Sequence, residues 1–81
     1  MKVYRFEGGA IDWVIAADEE DAREVMQEQH GRDIDWTDIN GPTEVRGDAF
    51  LTIDLDPGRH TKTINQWLAE FPRGLLCSSE Y

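Results

Sequence analysis

Apolar positions along the chain repeat first with period two and then with a period near 3.6, and the same change of rhythm recurs once before the end. The opening "KVYRFE" alternates, with Tyr4 and Phe6 on one side of the pleat and Arg5 and Glu7 on the other. "IDWVIA" likewise sets Ile11, Trp13 and Ile15 opposite Asp12, and Gly8-Gly9 between the two runs is a hairpin signal. From Asp18 the period lengthens. Asp18 stands at an N-cap, Asp21 imitates the acidic end of a capping box, Ala22, Val25 and Met26 recur at helical spacing, and Gly31 ends the helix.

Residues 32–47 carry little pattern and many turn formers, with Asn40-Gly41-Pro42 the firmest break. They predict a loop holding a short helical turn around Trp36 and a short strand at 43–46. "AFLTIDL" alternates again, with Leu51, Ile53 and Leu55 inward and Thr52 and Asp54 outward. Asp56-Pro57-Gly58 turns the chain, and Thr63 with Gln66 makes a capping box ahead of Ile64, Trp67, Leu68 and Phe71. Pro72 and Gly74 stop that helix, leaving "LLCS" as a last strand.

The order β-β-α-(loop)-β-α-β predicts one small α+β domain over residues 1–81, with an antiparallel-rich sheet of three to five strands and both helices packed on one face. Its expected core is Tyr4, Phe6, Trp13, Ile15, Val25, Met26, Leu51, Ile53, Trp67, Leu68 and Leu75. Strand order is not legible at this level.

Size narrows the function. A chain of 81 residues buries only about 60% of the surface it exposes unfolded, which disfavours a deep enzyme-style cleft. Cys77 is the one cysteine, so no internal disulfide forms, and no run approaches the 18 apolar residues of a membrane span. The start has no apolar stretch of the signal-peptide kind, and a cytoplasmic location is expected.

Charge narrows it further. Seventeen acids face eight bases, for a formal −9, and residues 7–56 alone hold 15 acids and three bases. Such a field repels nucleic acid and attracts basic protein surfaces, so no direct nucleic-acid binding is expected.

Candidate chemistry is sparse. Cys77 with His30 or His60 offers a nucleophile and a base but no local group to orient the base or hold an oxyanion. Cysteine in an apolar strand is usually a small core residue, and His30 beside Gly31 suits a helix C-terminus. Three scattered Cys and His fall short of the four ligands of structural zinc. Asp33, Asp35, Thr37 and Glu44 have the spacing of a calcium loop, but Asp38 stands where its glycine belongs. Asp54 and Asp56 could face a Mg²⁺ ion, though acids are common at such solvated strand ends. "EGGA" leads into a strand, so no helix N-terminus awaits a phosphate. The expectation is no enzyme, no cofactor and no metal.

What stands out is Glu20, Glu24 and Glu28, one row on the first helix. Like charges four apart repel by about 0.2–0.5 kcal/mol per pair, and attraction between Glu19 and Arg23 offsets part of this. Acids in the first turn suit the positive end of the helix dipole, but Glu24 and Glu28 have no such local reason. Asp33, Asp35 and Asp38 extend the acidity into the next loop, around Trp36, which is either an interface anchor or the closure of a small core. Helix neighbours lie about 5–6 Å apart, comparable in scale to the spacing of roughly 3.4 Å per phosphate along a DNA strand. The surface could therefore occupy a groove meant for nucleic acid, or acidity could serve solubility alone.

"WVIAADEEDARE" after an opening hairpin, with the tail "GLLCSSEY", resembles small proteins of bacteriophages and prophages, and the overall profile is similar to that of anti-CRISPR proteins. The resemblance implies an inhibitor acting in a bacterial host cell. It would cover a basic nucleic-acid-binding protein or complex, a CRISPR surveillance complex among them. It implies no common fold and no particular functional residue. The expected contact residues, Glu20, Glu24, Glu28, Asp33, Asp35, Trp36 and Asp38, come from the charge pattern. The alternative is a small soluble accessory module, monomeric or homodimeric, that binds through an apolar face or a free strand edge.

Overall fold

The reversal at Gly8-Gly9 lays β1 (Lys2–Glu7) antiparallel to β2 (Ala10–Ala16), with Val3 opposite Ile15 and Tyr4 opposite Val14. In the computed structural model, which describes residues 1–31, 34–55 and 58–80, these strands are the centre of a four-stranded antiparallel sheet ordered β3-β1-β2-β6. The remaining elements are α1 (Glu19–His30), a 3-10 turn (Trp36–Asp38), β3 (Asn40–Val45), β4 (Phe50–Leu55), β5 (Gly58–Thr63), α2 (Ile64–Glu70) and β6 (Gly74–Glu80). β4 and β5 form a separate antiparallel ribbon. The α+β class and the antiparallel sheet are as expected.

Both helices start as their sequences dictate. The Asp18 carboxylate accepts the Asp21 N–H at 2.8 Å, while Asp21 accepts the N–H of Ala17 rather than that of Asp18, at 2.9 Å. Gly31 closes α1 at φ 68°, its N–H donating to the Gln27 carbonyl at 3.0 Å. Thr63 and Gln66 make the reciprocal capping box of α2.

The helices do not share one face of the sheet, which corrects the expected packing. Directly paired residues of an antiparallel ladder point to the same side. Tyr4, Phe6, Val14 and Ala16 therefore meet Ala22, Val25 and Met26 of α1 on one side. Val3 and Ile15 meet Ile64 of α2 on the other, with Trp13, Leu51, Leu68 and Phe71 packed around them. β1 and β2 are apolar on both faces, so each face needs its own cover. Leu75, expected inside, is 40% exposed, whereas Val3, Val14 and Ile64 are fully buried.

β5 is the element that the apolar pattern missed. Its sequence GRHTKT has no apolar side chain, and polar cross-strand pairs align it instead. Thr61 and Thr52 share a hydroxyl hydrogen bond at 2.7 Å, and Arg59 Nε donates to Asp54 at 3.1 Å. The ribbon is tied to α2 by buried Trp67, whose indole N–H donates to the Leu51 carbonyl at 2.9 Å. Asp56 and Pro57 of the expected turn lie outside the described residues.

Two separate cores predict two separate sensitivities. Met26→Ala on the α1 side and Ile64→Ala on the α2 side should each lower the unfolding free energy in urea by about 2–5 kcal/mol. A loss below about 1 kcal/mol for either one would mean that its face of the sheet needs no cover.

Candidate functional site

Glu20, Glu24 and Glu28 form the expected row on α1 and are all exposed, while Ala22, Val25 and Met26 of the same helix turn inward. The row is not left to itself. Arg73, in the connection between α2 and β6, folds over it. Its Nε donates to Asp21 Oδ1 at 2.9 Å, Nη2 lies 2.8 Å from the same oxygen, Nη1 reaches Glu28 at 3.4 Å and Nη2 lies 3.9 Å from Glu24. One guanidinium thus serves three carboxylates of α1. The Arg73 hydrogen bond, joined by that of the Ala17 N–H, holds the Asp21 carboxyl below the usual carboxylate range. The same hydrogen bond raises the Arg73 guanidinium, with Glu28 adding to it.

Glu24 and Glu28 therefore have a structural partner that sequence reading missed. The contact spans 45 to 52 residues of chain, and only the placing of β6 beside β2 makes it. Glu20, by contrast, has no ion pair among the described residues. The Glu19–Arg23 attraction expected from the sequence forms no ion pair within 4.0 Å either.

The acids of the following connection lie elsewhere. Asp35 caps the 3-10 turn, accepting the Thr37 N–H at 3.0 Å and the Thr37 hydroxyl, and these bonds, the hydroxyl first, lower its carboxyl from the ordinary value. Trp36 is half-buried against Phe6, with ring centroids 5.7 Å apart, and joins the α1-side core. Asp38 is exposed, and Asp33 lies outside the described residues. Asp35 and Asp38 line a cavity of about 230 Å³ together with His30 and the Gly8-Gly9 turn. At about 100° per residue, His30 sits roughly 120° round α1 from Glu24 and roughly 160° from Glu28. Among the described residues, the expected acidic contacts thus divide into the α1 row and, on another side of the helix, a groove lined by Asp35 and Asp38.

The other candidate chemistries are now placed. Cys77 is half-buried opposite Trp13, and burial, with the Asp12 charge behind it, pushes its thiol up to about 11. A thiol held protonated at neutral pH is a poor nucleophile, and among the described residues no histidine lines the neighbouring groove of Trp13, Thr52, Asp54 and Ser78. Glu44, the last position of the calcium-loop spacing, lies in β3 and pairs with Lys2 at 3.1 Å. Among the described residues no three His, Cys, Asp or Glu side chains are grouped to hold a metal, and no helix is long and apolar enough to cross a membrane. Comparison with family models, curated proteins and solved structures finds no match to the chain.

Asp21 ties this cluster to pH. Its folded carboxyl lies below its unfolded value, so the stability it confers is complete above the unfolded value and fades as pH falls through the folded one. Arg73→Gln should therefore lower the urea midpoint at neutral pH and flatten its decline as pH falls below about 5, the two proteins converging only below the depressed folded value of Asp21. An equal offset at every pH would show that Arg73 acts through packing alone.

Proposed function

We propose that this protein is a non-enzymatic inhibitor that binds a basic nucleic-acid-handling protein through its acidic surface and competes there with nucleic acid. An anti-CRISPR-like role, in a phage or another mobile element, is the specific form of this reading that the profile of the chain suggests.

One observation carries the reading: the uneven placing of charge. Five bases pair one to one with carboxylates, Lys2 with Glu44, Arg5 with Glu7, Arg46 with Asp48, Arg59 with Asp54 and Lys62 with Glu70. These pairs cancel. Residues 18–38 hold nine acids against Arg23 and Arg32, so with Arg73 folded onto them they keep −6 of the formal −9. Exposed charges act together over a screening length of about 8 Å at physiological salt, and neighbouring carboxylates on α1 lie within it. Glu24 and Glu28 keep side-chain exposures of 66% and 62% despite Arg73.

A second reading is favoured by the sheet edge. β6 ends the strand order and pairs only with β2, so among the described residues its far side carries no strand. In that reading the chain is an accessory module that joins a second copy along β6, and its acidity keeps it soluble.

Immobilised protein offered a bacterial lysate tests the first reading. It should retain basic nucleic-acid-binding proteins that added duplex DNA displaces and that a rise from about 50 to about 200 mM salt elutes. A variant carrying Glu20→Gln, Glu24→Gln and Asp38→Asn should lose most of them. Retention unaffected by DNA, salt and these substitutions contradicts the reading. Salt-resistant self-association with nothing else retained supports the second.

A further inference from the structure

We infer that the groove between the Gly8-Gly9 turn and the C-terminal end of α1 receives one basic side chain, lysine or arginine, of a protein partner. This rests on the proposed acidic binding surface and names an anchor point within it. The two cavities that make up the groove, of about 230 and 240 Å³, share Gly8, Gly9, His30 and Ile39 in their walls and so form one trough. Either lobe alone falls below the roughly 300–1,000 Å³ usual for a drug-sized ligand or cofactor, and an extended side chain suits one lobe in size.

The lining matches in chemistry as well. Ile34 and Ile39 are half-buried, and Phe6 and Met26 close the trough from the core side, which gives an apolar path of the kind that a lysine or arginine stem covers while its charged end stays near water. Carboxylates stand at the rim: Asp35 and Asp38 line one cavity and Asp12 the other. Among the described residues the Asp38 carboxylate has neither a hydrogen bond nor an ion pair, and only Oδ1 of Asp35 is engaged. A cation can therefore be met by oxygen atoms that the fold does not use. A Cβ at Gly8 would press on Ile39 Cγ1, in the trough wall, at 3.3 Å, whereas one at Gly9 would find nothing within 4 Å. Backbone alone walls that side.

Amide chemical shifts of the ¹⁵N-labelled protein, followed on titration with blocked tripeptides Gly-Lys-Gly, Gly-Arg-Gly and Gly-norleucine-Gly, test the inference. The two basic peptides should move Gly8, Gly9, Ile34, Asp38 and Ile39 in a saturable way, while norleucine, with a stem and no charge, should not. Asp38→Asn, which removes no internal bond and should leave the melting temperature unchanged, should weaken the basic peptides about two- to fivefold. Equal response to norleucine, or no response of the groove, overturns the inference. Octalysine in the same assay separates the two levels. Salt-sensitive shifts along residues 19–28 with the groove silent refute the groove and leave the acidic surface standing. No binding of octalysine anywhere refutes both.

Discussion

A β-hairpin with apolar side chains on both faces cannot stop at two layers. In β1 and β2, Tyr4, Phe6 and Val14 alternate with Val3 and Ile15, and all five are buried. Water must be kept from both sides, at roughly 25 cal/mol for each Å² of apolar surface removed. On one side α1 does most of this with three turns of helix, and Ile34, Trp36 and Ile39 complete the cover. α2, at seven residues, is too short to do the same, and Ala49 and Leu51 complete the cover. This need explains the otherwise unpromising β4-β5 ribbon. An isolated two-stranded ribbon is marginal in water, and this one is held by what it covers and by the Trp67–Leu51 hydrogen bond.

The charges follow from the same arrangement. Exposed ion pairs contribute about 0–1 kcal/mol each, so the five one-to-one pairs contribute little to stability, and their main effect is to leave most of the surface near neutrality. The Arg73 cluster differs. Asp21 and Arg73 have side-chain exposures of only 20% and 35%, and the guanidinium joins the start of β6 to α1 across the edge of the sheet. The acidic row is thus partly a structural device. What remains after that use is a surplus of carboxylate on α1 and the 3-10 turn, and it is this surplus that a cationic partner would meet.

Much of this was legible in the residues, where the signal was local. Asp18 and Gly31 bound α1, Thr63 and Gln66 start α2, and the alternation of β1, β2 and β4 needs only neighbours in the chain. β5 was not legible, because GRHTKT is aligned by partners on β4 and lacks an apolar face. The placing of the helices was not legible either, since it depends on which residues of β1 and β2 stand opposite each other. The candidate site shows the same limit. The carboxylates of α1 and the loop could be seen in the sequence, but Arg73 reaches them only through the topology. The groove exists only where the Gly8-Gly9 turn, His30 and Asp38 come together from three elements.

The binding surface proposed above depends on negative potential being concentrated on α1 and the 3-10 turn and open to solvent. The most direct measurement compares how strongly a cationic and an anionic nitroxide of equal size relax each amide proton, which reports local potential residue by residue. The excess of cation over anion should be largest at residues 19–28 and 35–38 and smallest along β4 and β5. A ratio that is uniform over the surface, or largest outside those residues, would contradict it.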